Sequence, residues 1–444
     1  MVIALLVLLI AAIIVITAVW KVHPVPVLLL GGFLFGVASG HGVTETVNLL
    51  SSGFGNTVKS IGIIIIAGTL IGAFMERRGA LKVIADRIIA LTGQKRTPLA
   101  MAILGYITSI CIFCDSAFII LIGLWRKIST LAKLPLAVGT VALAMGLLAS
   151  HCFIPPAAGP MAALSLMNAD FSYVLLFGAT ASLAAAAAGY FYGMRFGWKE
   201  ELSASVAADP AAQQGEHLFK RHWTIAFLPL AIPLVLIGGA SLTNLFGGSV
   251  SPAFTAFMKA AGHPVPALGI GAILAIFLIG KCPPEELTAD GLIGKTILDA
   301  ANILVVTGAG GALGEVLKAV DFKPFLPERI HAAGAFAILV PLLFSAVLKT
   351  AQGSSSLAIL TAAGMTVPML DLLGLSSPAM RALACCAVCC GGIMVSHTND
   401  SYFWIVVKFS GMNVRQGLKL QTGASLVSGL AAAATLLILA CIFR

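Results

Sequence analysis

The sequence predicts an all-α polytopic membrane protein that is built as an inverted repeat. Two observations support this prediction. Of the 444 residues, 59% are hydrophobic and only 10% are charged, whereas a soluble domain carries about 25% charged residues. Short motifs of the first half also return in the second half in the same order. A chain this apolar has room for about ten or more membrane spans, which excludes a soluble enzyme and a nucleic-acid-binding protein.

The recurring motifs indicate an internal duplication. They are His23-Pro24-Val25-Pro26 and His263-Pro264-Val265-Pro266, Ala67-Gly68 and Ala309-Gly310, and Ser150-His151 and Ser396-His397. One such match has little weight, but three matches in the same order at nearly one offset predict a repeat. We therefore expect a first repeat at residues 1–197, a cytoplasmic linker at 198–221 and a second repeat at 222–444.

Each repeat is predicted to contain the same series of elements. Three spans come first, at 2–20, 26–40 and 61–75 in the first repeat and at 223–242, 264–280 and 297–317 in the second. A polar-interrupted apolar stretch follows at 98–125 and 331–374, then a long broken span at 135–168 and 378–410. The last span is predicted at 171–196 and 418–442.

Polar residues mark the interruptions. The stretch 98–125 is broken at Cys114-Asp115-Ser116 and is about 28 residues long, which fits a re-entrant hairpin better than a single span. The second copy, broken at Gln352 to Ser356, fits either a hairpin or two full crossings. The long spans are broken at His151 to Gly159, where prolines cannot continue a helix, and at Ser396 to Ser401.

The positive charges predict the orientation of the two repeats. Each repeat crosses the membrane an odd number of times in this interpretation, so the second repeat is inverted relative to the first. The resulting topology places 19 of the 27 Lys and Arg residues on one side. By the positive-inside rule this side is the cytoplasm. We therefore expect a multi-pass inner-membrane protein with both termini on the external side.

Inverted repeats with helices broken at mid-membrane are typical of secondary transporters. An interrupted helix exposes unpaired backbone groups, which hydrocarbon does not tolerate unless they line a cavity. The N-termini of half-helices carry free N–H groups and partial positive charge, which favours an anionic ligand. The sequence thus predicts a transporter with an anionic substrate at the breaks.

The candidate site residues lie at these four breaks. Those predicted to bind substrate are Ser116, His151, Lys349, Gln352, Gly353, Ser354, Ser355, Ser396 and Asn399, and those predicted to couple protons are Asp115, His151, His397 and Asp400. Ionisable side chains within a membrane are commonly functional, and a buried carboxyl group suits a proton carrier.

Three of these residues have an alternative structural role. His151 is either a packing histidine or a ligand, and Asp115 is either a helix cap or a proton carrier, two roles that are compatible. Lys349 either extends towards an interface or balances a substrate carboxylate. The cluster Cys385, Cys386, Cys389 and Cys390 has no polar neighbours and favours close helix packing over metal binding. No metal site and no cofactor are predicted.

The breaks resemble those of the gluconate permease family of proton-coupled symporters, within the ion-transporter superfamily. The motifs are His151-x-Phe153-x-Pro155-Pro156-x-x-Gly159-Pro160, Ala351-Gln352-Gly353-Ser354 and Ser396-His397-x-Asn399-Asp400-Ser401-x-Phe403-Trp404. The resemblance covers nearly the whole chain. It implies a scaffold and a transport domain with two hairpins and two broken helices, and the import of gluconate or a related sugar acid.

The chain departs from the gluconate-transporting members at four positions. They usually have His and Pro where this chain has Ala157 and Ala158, Glu where it has Asp115 and Arg where it has Lys349. These changes alter the size and the donors of the pocket. The resemblance therefore implies a small hydroxy-carboxylate and leaves the individual acid open. The alternative is a sodium-coupled symporter of another small organic anion or of a D-serine-like amino acid.

The expected partners follow from this interpretation. They are a small anionic substrate, protons and membrane lipid, with no nucleic acid. The sequence leaves open whether the protein forms a homodimer. It also predicts that the protein is not an enzyme, because His151 and His397 lack the context of a metal or nucleophile motif.

The predicted topology can be tested by labelling. A cysteine introduced between Arg77 and Arg96 is expected to react with a membrane-impermeant maleimide only after the cytoplasmic face is opened, because the six basic residues from Arg77 to Arg96 favour the cytoplasmic side. The unmodified chain, with its nine native cysteines, provides the background. Labelling of the new cysteine in intact cells would overturn the inverted-repeat topology.

Overall fold

The structure is a computed structural model that describes most of the chain. The described residues are 5, 8–9, 11–13, 15–16, 20, 22–92, 96–110, 112–202, 223–245, 251–278, 282–320, 334–398 and 400–443. Most of the predicted first span at 2–20 and of the predicted linker at 198–221 lies outside these residues. Every regular element in the described part is helical, as the sequence predicts.

From residue 22 onward, the described part of the first half forms eight helices. They are α1 Pro24–Ala38, α2 Val43–Arg77, α3 Ala80–Thr92, α4 Thr97–Thr108, α5 Cys114–Ala132, α6 Leu136–Phe153, α7 Ala158–Leu166 and α8 Phe171–Phe196. Helix α2 bends by 43° between Lys59 and Gly62.

The second half forms ten helices within its described residues. They are α9 Trp223–Leu245, α10 Pro252–Ala261, α11 Pro264–Phe277, α12 Leu292–Ala319, α13 Leu339–Gln352, α14 Ser355–Thr366, α15 Pro378–Ile393, α16 Ser401–Ser410, α17 Val414–Gly417 and α18 Gly423–Phe443. A π-helical turn at Leu418–Thr422 precedes α18. By length and composition, six helical segments of the described chain can cross a membrane, or up to eight if each bent pair is one span.

Both halves contain a helical hairpin with one arm too short to cross a bilayer. Helix α4 has 12 residues and helix α14 has 12 residues, and each is therefore about 18 Å long at 1.5 Å per residue. The hydrocarbon core is about 30 Å thick. The pairs α4–α5 and α13–α14 are therefore re-entrant hairpins, and the second copy does not consist of two full crossings.

The tip of the first hairpin lies earlier in the chain than predicted. The break falls between Thr108 and Cys114, and Phe113 is the N-cap of α5. The predicted interruption Cys114-Asp115-Ser116 instead forms the first turn of that helix. The physical reason is that acidic and hydroxyl side chains are favourable at the start of a helix, so this polar cluster marks where α5 begins.

The two halves pack on each other through equivalent elements. Helix α2 packs against α12, and α8 packs against α18. The second arm of each hairpin packs against the second part of the opposite broken helix, so α5 contacts α16 and α14 contacts α7. This reciprocal pairing is the one expected of the predicted repeat. Within the broken helix Leu136–Leu166, an apolar stretch of 18 residues is fully buried by the surrounding protein.

The repeated His-Pro-Val-Pro motif folds in the same way in both halves. His23 caps α1, because its Nδ1 accepts a hydrogen bond of 3.4 Å from the backbone N–H of Val25. His263 caps α11 by accepting a bond of 3.3 Å from Val265. The proline that follows each histidine is suited to the first helical position, where no N–H is needed.

Glycines let each hairpin approach its broken helix closely. A Cβ atom at Gly146 in α6 would lie 2.2 Å from the carbonyl oxygen of Ala102 in α4. A Cβ at Gly391 in α15 would lie 2.3 Å from the carbonyl oxygen of Leu342 in α13. Backbone atoms cannot give way as a flexible side chain can, so both positions require glycine.

Substitution of one of these glycines tests the packing. Gly146→Ala is expected to lower the free energy of unfolding by about 1–3 kcal/mol, because the added methyl group forces α4 and α6 apart. Gly123→Ala is the matched control, since a Cβ there meets nothing within 4 Å. Thermal unfolding of the purified protein in detergent measures both. Equal transition temperatures for the two variants would contradict the close approach.

Candidate functional site

Four interruptions of helical structure come together near the centre of the molecule. They are the tips of the two hairpins, at Ser109–Phe113 and Gly353–Ser354, and the breaks of the two long helices, at Ile154–Ala157 and Met394–Asp400. The rings of Phe113 and His151 lie 5.9 Å apart, which joins the first tip to the first break. Helix α7, which follows the first break, packs against α14, which begins at the second tip, and this joins the first break to the second tip.

A buried ion pair connects the second hairpin to the second break. The Nζ of Lys349 lies 2.6 Å from Oδ2 of Asp400, and the two side chains are only 1% and 3% exposed. Nζ also donates a bond of 3.1 Å to the carbonyl oxygen of Gly353 at the tip. Lys349 therefore does not extend towards an interface; its charge is neutralised by a carboxylate of the protein.

Asp400 has a full set of hydrogen-bond donors. Besides Lys349, the hydroxyl of Ser396 donates to its Oδ2. The backbone N–H of Tyr402 donates to its Oδ1 at 3.1 Å, so Asp400 is also the N-cap of α16. A buried carboxylate requires such partners, since desolvation without them is costly.

The second break is fixed to the last helix through Ser396. The backbone N–H of Ser396 donates to Oγ of Ser425 at 2.9 Å. Its carbonyl oxygen accepts from Oγ1 of Thr422 at 2.6 Å. Thr422 ends the π-helical turn before α18, so an irregular turn of the last helix supplies the partners that the broken helix lacks.

His397 forms a second connection between break and hairpin. Its Nε2 lies 3.0 Å from the carbonyl oxygen of Thr350 in α13. With the ion pair, the second hairpin is held to the second break at two adjacent points. Asn399, predicted as a ligand, lies outside the described residues.

A small cavity lies between the first tip and the first break. Its volume is about 30 Å³, and it is lined by Gly68 and Thr69 of the bent helix α2, by Ser109 and Phe113, and by His151 and Ala157. His151 is buried in the last turn of α6. The ring packs on Phe113 and also lines the cavity.

The helices that begin at this cavity differ from those of the second half. The N-cap residues of α5 and α7 are Phe113 and Ala157. Within the described structure, no side chain accepts a hydrogen bond from the first N–H groups of either helix. Helix α14 is capped by Ser354 and α16 by Asp400. Free N–H groups at an uncapped N-terminus attract anions, so the two halves offer different surroundings to a ligand.

Asp115 lies in the first turn of α5, beside these N–H groups. It is not the N-cap, which is Phe113. The thiol of Cys114 donates a long contact of 3.6 Å to its Oδ1. Both Lys349 and Asp400 interact with it electrostatically, yet no cation of the described chain lies within 4.0 Å of its carboxylate. Ser116, the next residue, is half-buried.

Gln352 at the second tip has an unused acceptor. Its Oε1 is buried and has no hydrogen-bond partner among the described residues. Gly353 follows in a left-handed conformation with φ of +77°, which glycine adopts without strain. Buried polar atoms are nearly always bonded, so this oxygen is available to a donor that enters the site.

Sequence reasoning missed several residues of this arrangement. The hydroxyl of Tyr402 donates to the carbonyl oxygen of Ala144 at 2.9 Å and ties α16 to α6. Thr422 and Ser425 hold the second break. Two hydroxyl residues one turn apart near the start of the last span were the available signal. Cys386 and Cys390 of the cysteine cluster donate to backbone carbonyl oxygens of neighbouring helices, which is a packing role.

Comparison with known proteins identifies the family. The family model for GntP family permeases matches residues 1–442. The chain belongs to the GntP permease family. It is therefore a membrane transport protein and not an enzyme.

Individual relatives agree over most of the chain. An uncharacterized permease of Haemophilus influenzae is 31% identical over 88% of this chain and 82% of its own length. A gluconate permease of Pseudomonas aeruginosa is 28% identical over 91% of this chain and 89% of its own length. The solved structure of MtrF from Neisseria gonorrhoeae, from a class of antimetabolite efflux pumps, aligns with a TM-score of 0.62 and 16% identity over 89% of this chain and 84% of that chain. It is similar in fold.

Removing one partner of the ion pair tests its energetic role. Lys349→Ala is expected to lower the free energy of unfolding by about 3–5 kcal/mol, because Asp400 is left buried and unpaired. The double variant Lys349→Ala with Asp400→Asn is expected to recover much of this loss, since no charge remains buried. Lys259→Ala, at an exposed lysine, is the control. Thermal unfolding measures all three, and a double variant no more stable than Lys349→Ala would contradict the ion-pair role.

Proposed function

We propose that this transporter imports gluconate, a related sugar acid or a similar small hydroxy-carboxylate by symport with protons. The proposal is supported above all by the convergence of half-helix ends on a site with one buried lysine. Such a site attracts an anion, because the uncapped N-termini of α5 and α7 favour negative charge. Lys349 is a buried cation of the same site and is paired with Asp400. The gluconate permease among the relatives favours a sugar acid.

Polar groups at the tips and breaks fit a hydroxylated acid. Gln352 offers a buried acceptor without a partner, and a substrate hydroxyl is a suitable donor. Ser116, Ser354, Ser355 and Ser396, together with Asn399, offer further polar groups at or near the same breaks. We assign substrate binding to these side chains with His151, Lys349 and Gly353.

The titratable residues of the site are suited to carrying protons. Asp115 has no cation of the described chain within ion-pair distance, and an unpaired charge in the membrane is expensive. Protonation of Asp115 would remove that charge, so Asp115 is a candidate carrier. His151, His397 and Asp400 are the other candidate proton carriers at the breaks.

The size of the cavity requires movement during transport. Ligand pockets for small molecules measure about 300–1,000 Å³, whereas the cavity beside His151 measures about 30 Å³. Entry of a sugar acid therefore requires the hairpin tips to separate from the breaks. Alternating access by one bundle moving against the other is the usual mechanism of inverted-repeat transporters. The proposal includes the predicted topology. Both termini lie on the external side, and the two inverted repeats comprise residues 1–197 and 222–444.

Uptake into proteoliposomes tests the function. With an acidic exterior, labelled gluconate or another sugar acid is expected to accumulate inside, and a protonophore is expected to abolish the accumulation. A sodium gradient at equal pH on both sides is expected to drive none. Empty liposomes and a parallel panel with D-serine are the controls. Accumulation driven by sodium alone, or of D-serine and no sugar acid, would refute the proposal.

A further inference from the structure

The buried ion pair creates a problem for any anionic substrate. Lys349 and Asp400 neutralise each other at 2.6 Å and are almost fully buried. A substrate carboxylate that enters the same region adds a negative charge without a free cation. Lys349 is the cation that interacts electrostatically with both Asp115 and His151, so it lies within reach of both sides of the site. Its positive charge is already neutralised by Asp400.

We propose that the substrate carboxylate and Asp400 compete for Lys349, and that a proton on Asp400 decides the competition. This inference rests on the proposed function and specifies how the proton and the substrate are linked. In the empty protein Lys349 pairs with ionised Asp400. When Asp400 takes up a proton, its carboxyl group becomes neutral and the ammonium group of Lys349 pairs with the substrate carboxylate.

The charges balance in this exchange. Before binding, one ammonium and one carboxylate are buried. After binding, one ammonium, one substrate carboxylate and one neutral carboxyl group are buried. One proton therefore accompanies each substrate anion, and the loaded site carries no more net charge than the empty one. Neutrality matters because each uncompensated charge costs several kcal/mol in the low-dielectric interior.

The surroundings of Asp400 support both protonation states. As a carboxylate it accepts from Lys349, Ser396 and the N–H of Tyr402. When Oδ2 carries the proton, the hydroxyl of Ser396 can rotate from donor to acceptor. Oδ1 continues to accept from Tyr402, so the cap of α16 persists. When Lys349 pairs with the substrate instead, both carboxyl oxygens of Asp400 therefore still have a hydrogen-bond partner.

The surroundings of Lys349 support the change of partner. An ammonium group has three donors, and one of them bonds the carbonyl oxygen of Gly353. That bond keeps the side chain at the hairpin tip while the other donors change acceptor. The unpartnered Oε1 of Gln352 lies on the same tip and can accept from a hydroxyl of the bound acid. The tip thus offers a cation and an acceptor together.

Other titratable groups face this pair from the elements packed around it. They are Cys114 and Asp115 on α5, His151 and Cys152 on α6, His397 in the second break and Tyr402 on α16. Asp115 and the two histidines are the competing sites for the proton. The experiment therefore has to separate Asp400 from these groups.

The pH dependence of binding makes this separation. Sugar-acid affinity is measured by calorimetry on the purified wild-type protein between about pH 5.5 and 8.5, where a carboxylic acid with a pKa near 4 stays ionised. The apparent Kd is expected to rise towards tenfold per pH unit at the alkaline end. In Asp400→Asn the Kd is expected to be independent of pH and no weaker than the wild-type value at its acidic optimum, because Lys349 is permanently free. Asp115→Asn and His397→Gln are expected to retain the slope.

A second measurement does not depend on any variant folding. Addition of substrate to wild-type protein in weakly buffered solution is expected to take up about one proton per bound molecule at the alkaline end, detected with a pH indicator. No proton uptake, or a slope that persists in Asp400→Asn, would overturn the exchange. A slope lost in Asp115→Asn and kept in Asp400→Asn would place the proton on Asp115 and leave the proposed function intact. Failure of the wild type to bind or accumulate any sugar acid would refute the proposed function itself.

Discussion

A charge buried in this protein must be balanced within a few ångströms, and the ion pair between Lys349 and Asp400 follows from that constraint. Each partner alone would cost several kcal/mol in a low-dielectric interior. Their pairing ties the tip of one hairpin to the break of one long helix. The same constraint governs what can enter, because an anion needs a cation that the protein already uses. The structure and the proposed coupling therefore depend on one interaction.

The two halves differ in how the polar groups at their half-helix ends are satisfied. The second half satisfies its half-helix ends internally, with Ser354 and Asp400 as caps and Thr422 and Ser425 as partners of Ser396. The first half leaves α5 and α7 without side-chain caps beside a small cavity. The two halves thus differ in their polar residues although equivalent elements pack in the same way. The glycines at 146 and 391 show how closely that packing is retained.

The sequence located three of the four interruptions and placed the fourth too late in the chain. Prolines after His151, the Gly353-Ser354 pair and the polar run from Ser396 are strong local signals, because each prevents a regular apolar helix. The tip at Ser109–Phe113 has a weaker sequence signal for a break. The sequence therefore predicts the break at the more polar Cys114-Asp115-Ser116. Polar residues at a helix start and polar residues in a turn have the same composition, and only the backbone distinguishes them.

What the sequence determined by itself was the class, the helical content, the family resemblance and the set of residues at the breaks. These are local properties, set by hydropathy, helix-breaking residues and motif spacing. Only the tertiary structure decided which of those residues meet. Lys349 and Asp400 are 51 positions apart, and the hydroxyl of Tyr402 reaches the carbonyl oxygen of Ala144 from the other half of the chain. Such pairs form because the fold buries both members in a place where neither charge nor hydroxyl has water as an alternative partner, and no local pattern records that.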